Sequence, residues 1–172
     1  MKKITIAILV FALLALVSCA STGSGEVDFN ALYEGTQKVI EVEGASQDDL
    51  FVKANNWAVS AFANSDSVIE FTDKESGTIT GKYYMRYTGS SFYLWPSGQV
   101  APWTLIQINV KDGKARISLK LSSIDYYSSK GIKFTSSSDA YFAESDAETL
   151  TARWESLIAD FEKALKAEAV EW

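Results

Sequence analysis

Side chains able to do chemistry are few in this sequence, and their scarcity narrows what the protein does. The 172 residues include one cysteine, Cys19, and no histidine. Without histidine there is no Ser-His or Cys-His nucleophile system, no His-ligated zinc, and none of the commonest general base. Catalysis would have to rest on carboxylates, Lys, Tyr or Ser. Acids cluster at Asp48-Asp49 and at Glu144, Asp146 and Glu148. Neither cluster has the Asp-x-Asp-x-Asp-Gly form of a calcium loop, and both suit the first turn of a helix, where the backbone dipole favours negative charge. Gly77 and Gly81 fall inside a hairpin pattern with no helix N-terminus after them, so they do not read as a phosphate loop. No catalytic residue, metal site or cofactor is expected on these grounds.

Cys19 is different. Lys2 and Lys3 open the chain, Ile4 to Val17 is apolar apart from Thr5, and Leu16-Val17-Ser18-Cys19 closes the segment. A short positive region, an apolar stretch and small residues before a cleavage point are the parts of a secretory signal. The apolar stretch is shorter than the roughly 20 residues needed to span a bilayer. Leu-Val-Ser-Cys also resembles the lipobox of bacterial lipoproteins. The resemblance implies cleavage before Cys19, a diacylglyceryl group on its thiol and usually acylation of the new amine. The expectation is therefore a signal peptide over 1–18 and a lipidated N-terminus with a flexible tether over 19–36. The partner that follows is a membrane, reached through the lipid on Cys19. Ala20-Ser21 lacks the aspartate of the inner-membrane retention signal, which points to the outer membrane in a Gram-negative envelope.

Residues 37–172 are then expected to form one domain, a length that can bury a core without disulfides. The formal net charge is −6, and removal of the signal takes away two lysines and no acid. Overall acidity argues against a nucleic-acid partner, whose binding needs a basic patch.

Alternation and helical spacing supply the elements. Lys38–Val42 reads as a strand. Ser46 caps a helix whose apolar face is Leu50, Phe51, Ala54, Trp57, Ala58, Ala61 and Phe62. Val68–Thr72 and Thr78–Tyr87 form a hairpin, with Ile79, Gly81, Tyr83, Met85 and Tyr87 on one face. Leu105–Val110 and Ala115–Leu121 form a second across the Asp112-Gly113 turn. Residues 88–103 are expected as a long connection holding Pro96 and Pro102. Ser122–Ala140 reads as irregular, with a short strand at Ile132–Phe134. Ser145 and Glu148 suggest a capping box for a helix carrying Leu150, Trp154, Leu157, Ile158, Phe161 and Leu165 inward. The fold class is α+β, in the order β-α-β-β-β-β-α. Two layers are expected, an antiparallel sheet and two amphipathic helices on one of its faces.

Residues 37–161 resemble an uncharacterised bacterial envelope family of unknown function with a TATA-binding-protein-like (TBP-like) fold. The resemblance is carried by the capped helix with Trp57, by Asp73-Lys74-Glu75-Ser76-Gly77-Thr78-Ile79-Thr80-Gly81-Lys82, by Lys111-Asp112-Gly113-Lys114-Ala115-Arg116, and by the closing amphipathic helix. It implies a fold and no activity.

The candidate binding surface is Phe92, Tyr93, Trp95 and Trp103. Aromatic residues with prolines on a connection can meet a protein, peptide or glycan; the same residues can instead fold back over an open end of the core. Tyr83, Tyr84, Tyr87, Tyr126 and Tyr127 either extend that surface or pack across strands. The functional expectation is a membrane-anchored, non-enzymatic binding module. The alternatives are a carboxylate- and tyrosine-based hydrolase or sugar-processing domain, and a lipid-binding carrier.

Overall fold

The computed structural model describes residues 27–63, 68–88, 98–134 and 141–167. Among them the elements are α1 (Phe29–Glu34), β1 (Thr36–Glu41), α2 (Gln47–Ala61), β2 (Val68–Asp73), β3 (Thr78–Tyr84), β4 (Tyr87–Thr88), β5 (Gln99–Lys111), β6 (Lys114–Tyr127), β7 (Lys133–Phe134) and α3 (Glu144–Lys166). The strands form one antiparallel sheet in the order β1-β6-β5-β3-β2, with β4 on β5 and β7 on β6. This is the expected α+β class, with the two long helices on one face.

The register explains why the apolar stripes meet. Ile79 pairs with Ile108, Ile108 with Ile117, and Ile106 with Leu119, so strands distant in sequence present one continuous apolar face. Leu50, Ala54, Trp57 and Ala58 of α2 and Leu150, Trp154, Leu157, Phe161 and Leu165 of α3 are buried. Trp57 meets Phe161 edge-on at 4.9 Å between ring centroids. Trp154 donates its indole N–H to Thr104 Oγ1 at 2.8 Å, which satisfies two polar groups that burial would otherwise penalise.

Two contacts tie α3 down. The Lys53 ammonium of α2 donates to the carbonyls of Leu165 (3.0 Å) and Ala167 (2.6 Å), placing a cation on the negative end of α3 and satisfying orphan carbonyls. Glu162 accepts from Lys166 one turn on, at 2.5 Å, and from Lys38 of β1, at 2.6 Å. Lys166 first, then Lys38, hold the Glu162 carboxyl down to about 2. A depressed carboxylate contributes stability above its unfolded value near 4.5, and that contribution is lost as pH falls toward 2. The thermal midpoint of Glu162→Gln is therefore expected to fall less steeply than that of the parent between pH 4.5 and 2. High salt should narrow the difference, because all three side chains touch solvent. Parallel curves at low salt would show that the pair has no energetic role.

Several expectations change. The stretch expected to end as tether contains α1, which Asp28 caps and which buries Leu32 in the core. Residues 99–103, expected within a connection, extend β5; its neighbours β6, β3 and β4 supply the hydrogen bonds that a short alternation window does not reveal. Pro102 is accommodated because the β5–β6 register shifts just after it, between Trp103 and Thr104, and strand prolines favour such irregularities. Its carbonyl still accepts from the Met85 N–H at 3.3 Å. Helix α3 starts one residue before Ser145. Its N-cap is Ala143, and the Asp146 carboxylate accepts the Ala143 N–H at 2.9 Å, so the expected box between Ser145 and Glu148 gives way to a single back-reaching bond two residues earlier, the alanine having no side-chain acceptor to complete a box.

Three turns interlock at one end of the sheet. Asp112 Oδ1 accepts from the first N–H of α2, on Gln47, at 2.7 Å. The Gly113 N–H donates to Ala45 O at 2.9 Å, and the Val110 N–H to Gly77 O at 2.8 Å. The Gln47 amide reaches the carbonyls of Lys74 and Glu75. In the Asp112-Gly113 turn only Gly113 has positive φ, so Asp112 keeps ordinary backbone and its carboxylate serves α2.

Candidate functional site

The second face of the sheet has no described helix over it. Alternation fixes its residues as those opposite to the core set. They run Gln37, Val39 and Glu41 on β1; Lys114, Arg116, Ser118 and Lys120 on β6; Trp103, Leu105, Gln107 and Asn109 on β5; and Thr78, Thr80, Lys82 and Tyr84 on β3. Beside β3, the edge strand β2 adds Phe71, which is exposed. Most of these side chains are short, planar or polar. Asn109 ties three strands: its Nδ2 donates to Thr78 Oγ1 at 3.1 Å, and its Oδ1 accepts from Arg116 at 3.0 Å.

Trp103 lies on this face. Sequence reasoning placed it in a connection; the structure puts it within β5, paired with Tyr84 of β3, ring centroids 4.5 Å apart. The indole N–H donates to Asp125 Oδ2 at 2.9 Å, and Lys133 of β7 pairs with the same oxygen at 2.8 Å. Asp125 raises the Lys133 pKa through that hydrogen bond. The Tyr84 hydroxyl donates to the Tyr127 hydroxyl at 3.2 Å. The Arg86 guanidinium sits 4.0 Å over the Tyr127 ring and donates to Gln99. This end of the face thus combines aromatic surface, fixed cations and a carboxylate, the mixture found where protein surfaces recognise ligands.

The tyrosines separate by face. Tyr84 and Tyr127 belong to the Trp103 cluster, whereas Tyr83, Tyr87 and Tyr126 face the helices. The Tyr83 hydroxyl accepts from Arg153 of α3 at 2.6 and 3.1 Å, and the Tyr87 hydroxyl donates to Asp146 O at 3.3 Å. Burial first, and then the Asp146 charge, push the Tyr87 phenol pKa up. Cys19, Phe92, Tyr93 and Trp95 lie outside the described residues. Sequence reasoning missed Asp125, which accepts from Trp103, and Arg86, Gln99 and Lys133, which join the same cluster through Tyr127 and Asp125; the available signal was the alternation of Tyr84, Arg86, Asp125 and Tyr127, obscured by the register shift. Among the described residues, no three His, Cys, Asp or Glu gather as metal ligands, and no helix is long and apolar enough to cross a membrane.

A five-stranded antiparallel path with both long helices on one side and an open face on the other defines a two-layer α+β domain. The chain belongs to the DUF4468 family, a domain of unknown function with TBP-like fold, whose profile matches residues 37–127, just over half of the chain. A crystal structure of a TBP-like protein from Parabacteroides distasonis is similar, with a TM-score of 0.55 at 17% identity, covering 78% of this chain and 93% of that one. A DUF4468 family protein from Bacteroides ovatus aligns at 20% identity, covering 87% of this chain and 95% of that one, with a TM-score of 0.46. No curated protein matches the chain. At 17% identity the likeness to the Parabacteroides distasonis protein concerns the fold alone.

Proposed function

We propose that this chain is a lipid-anchored lipoprotein of the bacterial envelope that works as a non-enzymatic binding module through the open face of its sheet. One observation carries the reading: the helix side of the sheet is consumed by core packing, while the other side ends in the cluster of Trp103, Tyr84, Tyr127, Arg86 and Asp125. Asp125 is already committed to Trp103 and Lys133, which fits a recognition surface better than a free general base. The described space between sheet and helices is filled by side chains such as Leu50, Ile108, Ile117 and Phe161, all fully buried, which favours a binding face over a lipid-carrying cavity.

The anchor places this face at a membrane. Acyl chains contribute about 0.8 kcal/mol per buried methylene, so two or three hold a protein firmly. The full-length protein is expected to fractionate with membranes and to yield a mature N-terminal peptide starting at acylated Cys19. Cys19→Ser is expected to lose the acyl mass and to keep its apolar N-terminal segment uncleaved. An unmodified Cys19 by mass spectrometry would refute the anchor. Turnover of ester, peptide or glycoside substrates at enzymatic rates would refute the binding-module reading.

A further inference from the structure

Two of the motifs that carry the family resemblance lie far apart in sequence, at 73–82 and 111–116, yet meet at the interlocked turns. There they line a half-open concavity of about 510 Å³ with Gln47, Ser76, Asn109, Lys111, Lys114 and Arg116. It sits at the opposite end of β5 from Trp103, eight residues or about 27 Å along the strand. Its size falls within the range of small-molecule sites, roughly 300–1,000 Å³.

Charge singles this concavity out. The protein is acidic overall, but no carboxylate lines it, while two lysines and an arginine do. Most nearby acids are engaged elsewhere: Asp112 accepts the Gln47 N–H, Asp48 pairs with Lys74, and Asp49 accepts the Ser46 hydroxyl; Glu41 of β1 lies across from Lys114 on the same face. Lys38, Lys74, Lys82, Lys133 and Lys166 each have a carboxylate partner. Among the described residues none is in ion-pair contact with Lys111, Lys114 or Arg116. Three cations beside the single acid Glu41 leave a net positive charge, and an anion between them lowers their mutual repulsion.

The Arg116 guanidinium is also held in place. Arg116 is fixed on Asn109, which Thr78 and Gln107 hold in turn. The turns beneath are cross-linked through Gln47, Gly77 and Gly113. A preorganised donor set loses less freedom on binding. Val39, 52% exposed, lines the same hollow and offers an apolar surface beside the cations.

We propose that this concavity binds a small organic oxyanion, a phosphate- or carboxylate-bearing molecule. The anionic group would sit among Lys111, Lys114 and Arg116, with an apolar portion on Val39. This ligand class rests on the binding-module reading. The test is titration of the full isotope-labelled chain in neutral detergent with phenyl phosphate, benzoate and benzyl alcohol, followed by amide NMR. Saturable shifts are expected at Gln47, Ser76 and residues 109–116 with one or both anions and not with the neutral alcohol. Comparing the two anions identifies the head group. Arg116→Gln and Lys114→Gln should each weaken binding by about tenfold, while Lys163→Gln on α3 leaves it unchanged; unaltered shifts elsewhere report that the variants fold. No saturable response, equal binding of benzyl alcohol, or indifference to Arg116→Gln and Lys114→Gln would overturn the site. So would retention on phosphatidylglycerol vesicles with no response to either free anion. Hydrolysis of phenyl phosphate would instead refute the binding-module reading itself, which separates the two failures.

Discussion

Phe161→Ala is expected to destabilise the protein by about 3–5 kcal/mol, a large share of the 5–15 kcal/mol that holds a typical domain together. The ring is 0% exposed and lies where α3 meets α2 over the sheet. Truncation removes its transfer energy and leaves a hollow that neither helix can close easily, because each is also tied to the sheet, α2 through Asp112 and α3 through Glu162. Lys53 holds the end of α3, and Glu162 ties α3 to β1. The edge-on contact with Trp57 at 4.9 Å adds about 0.5–1.5 kcal/mol beyond area burial. Urea unfolding of the full chain should show a lower midpoint with an unchanged slope. Val59→Ala, at a position 58% exposed on α2, should stay within about 0.5 kcal/mol of the parent. A loss below about 1 kcal/mol for Phe161→Ala would mean the two-helix layer contributes less than its burial implies.

Gly77→Ala should cost about 2–3 kcal/mol, and Gly113→Ala only about 1 kcal/mol. Both glycines have positive φ, +64° and +74°, so both substitutions carry the left-handed penalty. They differ in what a Cβ would meet. At Gly77 it would lie 2.3 Å from Val110 O, a backbone atom of β5, whereas at Gly113 nothing lies within 4 Å. Gly77 also accepts the Val110 N–H through its own carbonyl, so relieving the clash means pulling the turn away from its hydrogen bond. The pair of variants separates backbone conformation from close approach. Equal losses in urea unfolding would remove the argument that the β2–β3 turn is clasped to β5. The same clasp supports the cationic hollow, so Gly77→Ala should also weaken anion binding there.

Local chemistry made much of this fold legible. Helix α2 follows from Ser46 and the spacing of Leu50, Ala54 and Trp57, and its cap forms as expected, with Ser46 Oγ accepting from the Asp49 N–H at 3.1 Å. The inward set Ile117, Leu119 and Leu121 follows from strict alternation, a period that admits only one face toward a core. The closing helix shows in its apolar spacing, although its first residue does not, because Asp146 reaches back to Ala143 where Ser145 was the evident cap. Trp103 was recognised as aromatic surface but misplaced. A proline directly before it masks a strand, and only partners on both sides of β5 reveal one.

The sequence alone determined the two long helices, the central parts of the five main strands, the apolar faces that bury them and the Leu16–Cys19 segment with its lone thiol, because these depend on residues within a few positions of one another. Helix α1, strand β4 and the outer ends of β5 and β6, where Ser122–Tyr127 was expected as irregular, were not among them. Cys19 and its lipid remain a proposal resting on that segment. Tertiary structure decided what no local pattern contains: that Lys53 closes the end of α3, that Asp112 caps α2, that Tyr83 and Tyr84 serve opposite faces of the domain, and that motifs at 73–82 and 111–116 meet around an open cationic hollow. Those contacts join residues as many as 114 positions apart. They exist only because antiparallel pairing brings distant turns to one end of the sheet, where whole-chain acidity no longer describes the local charge.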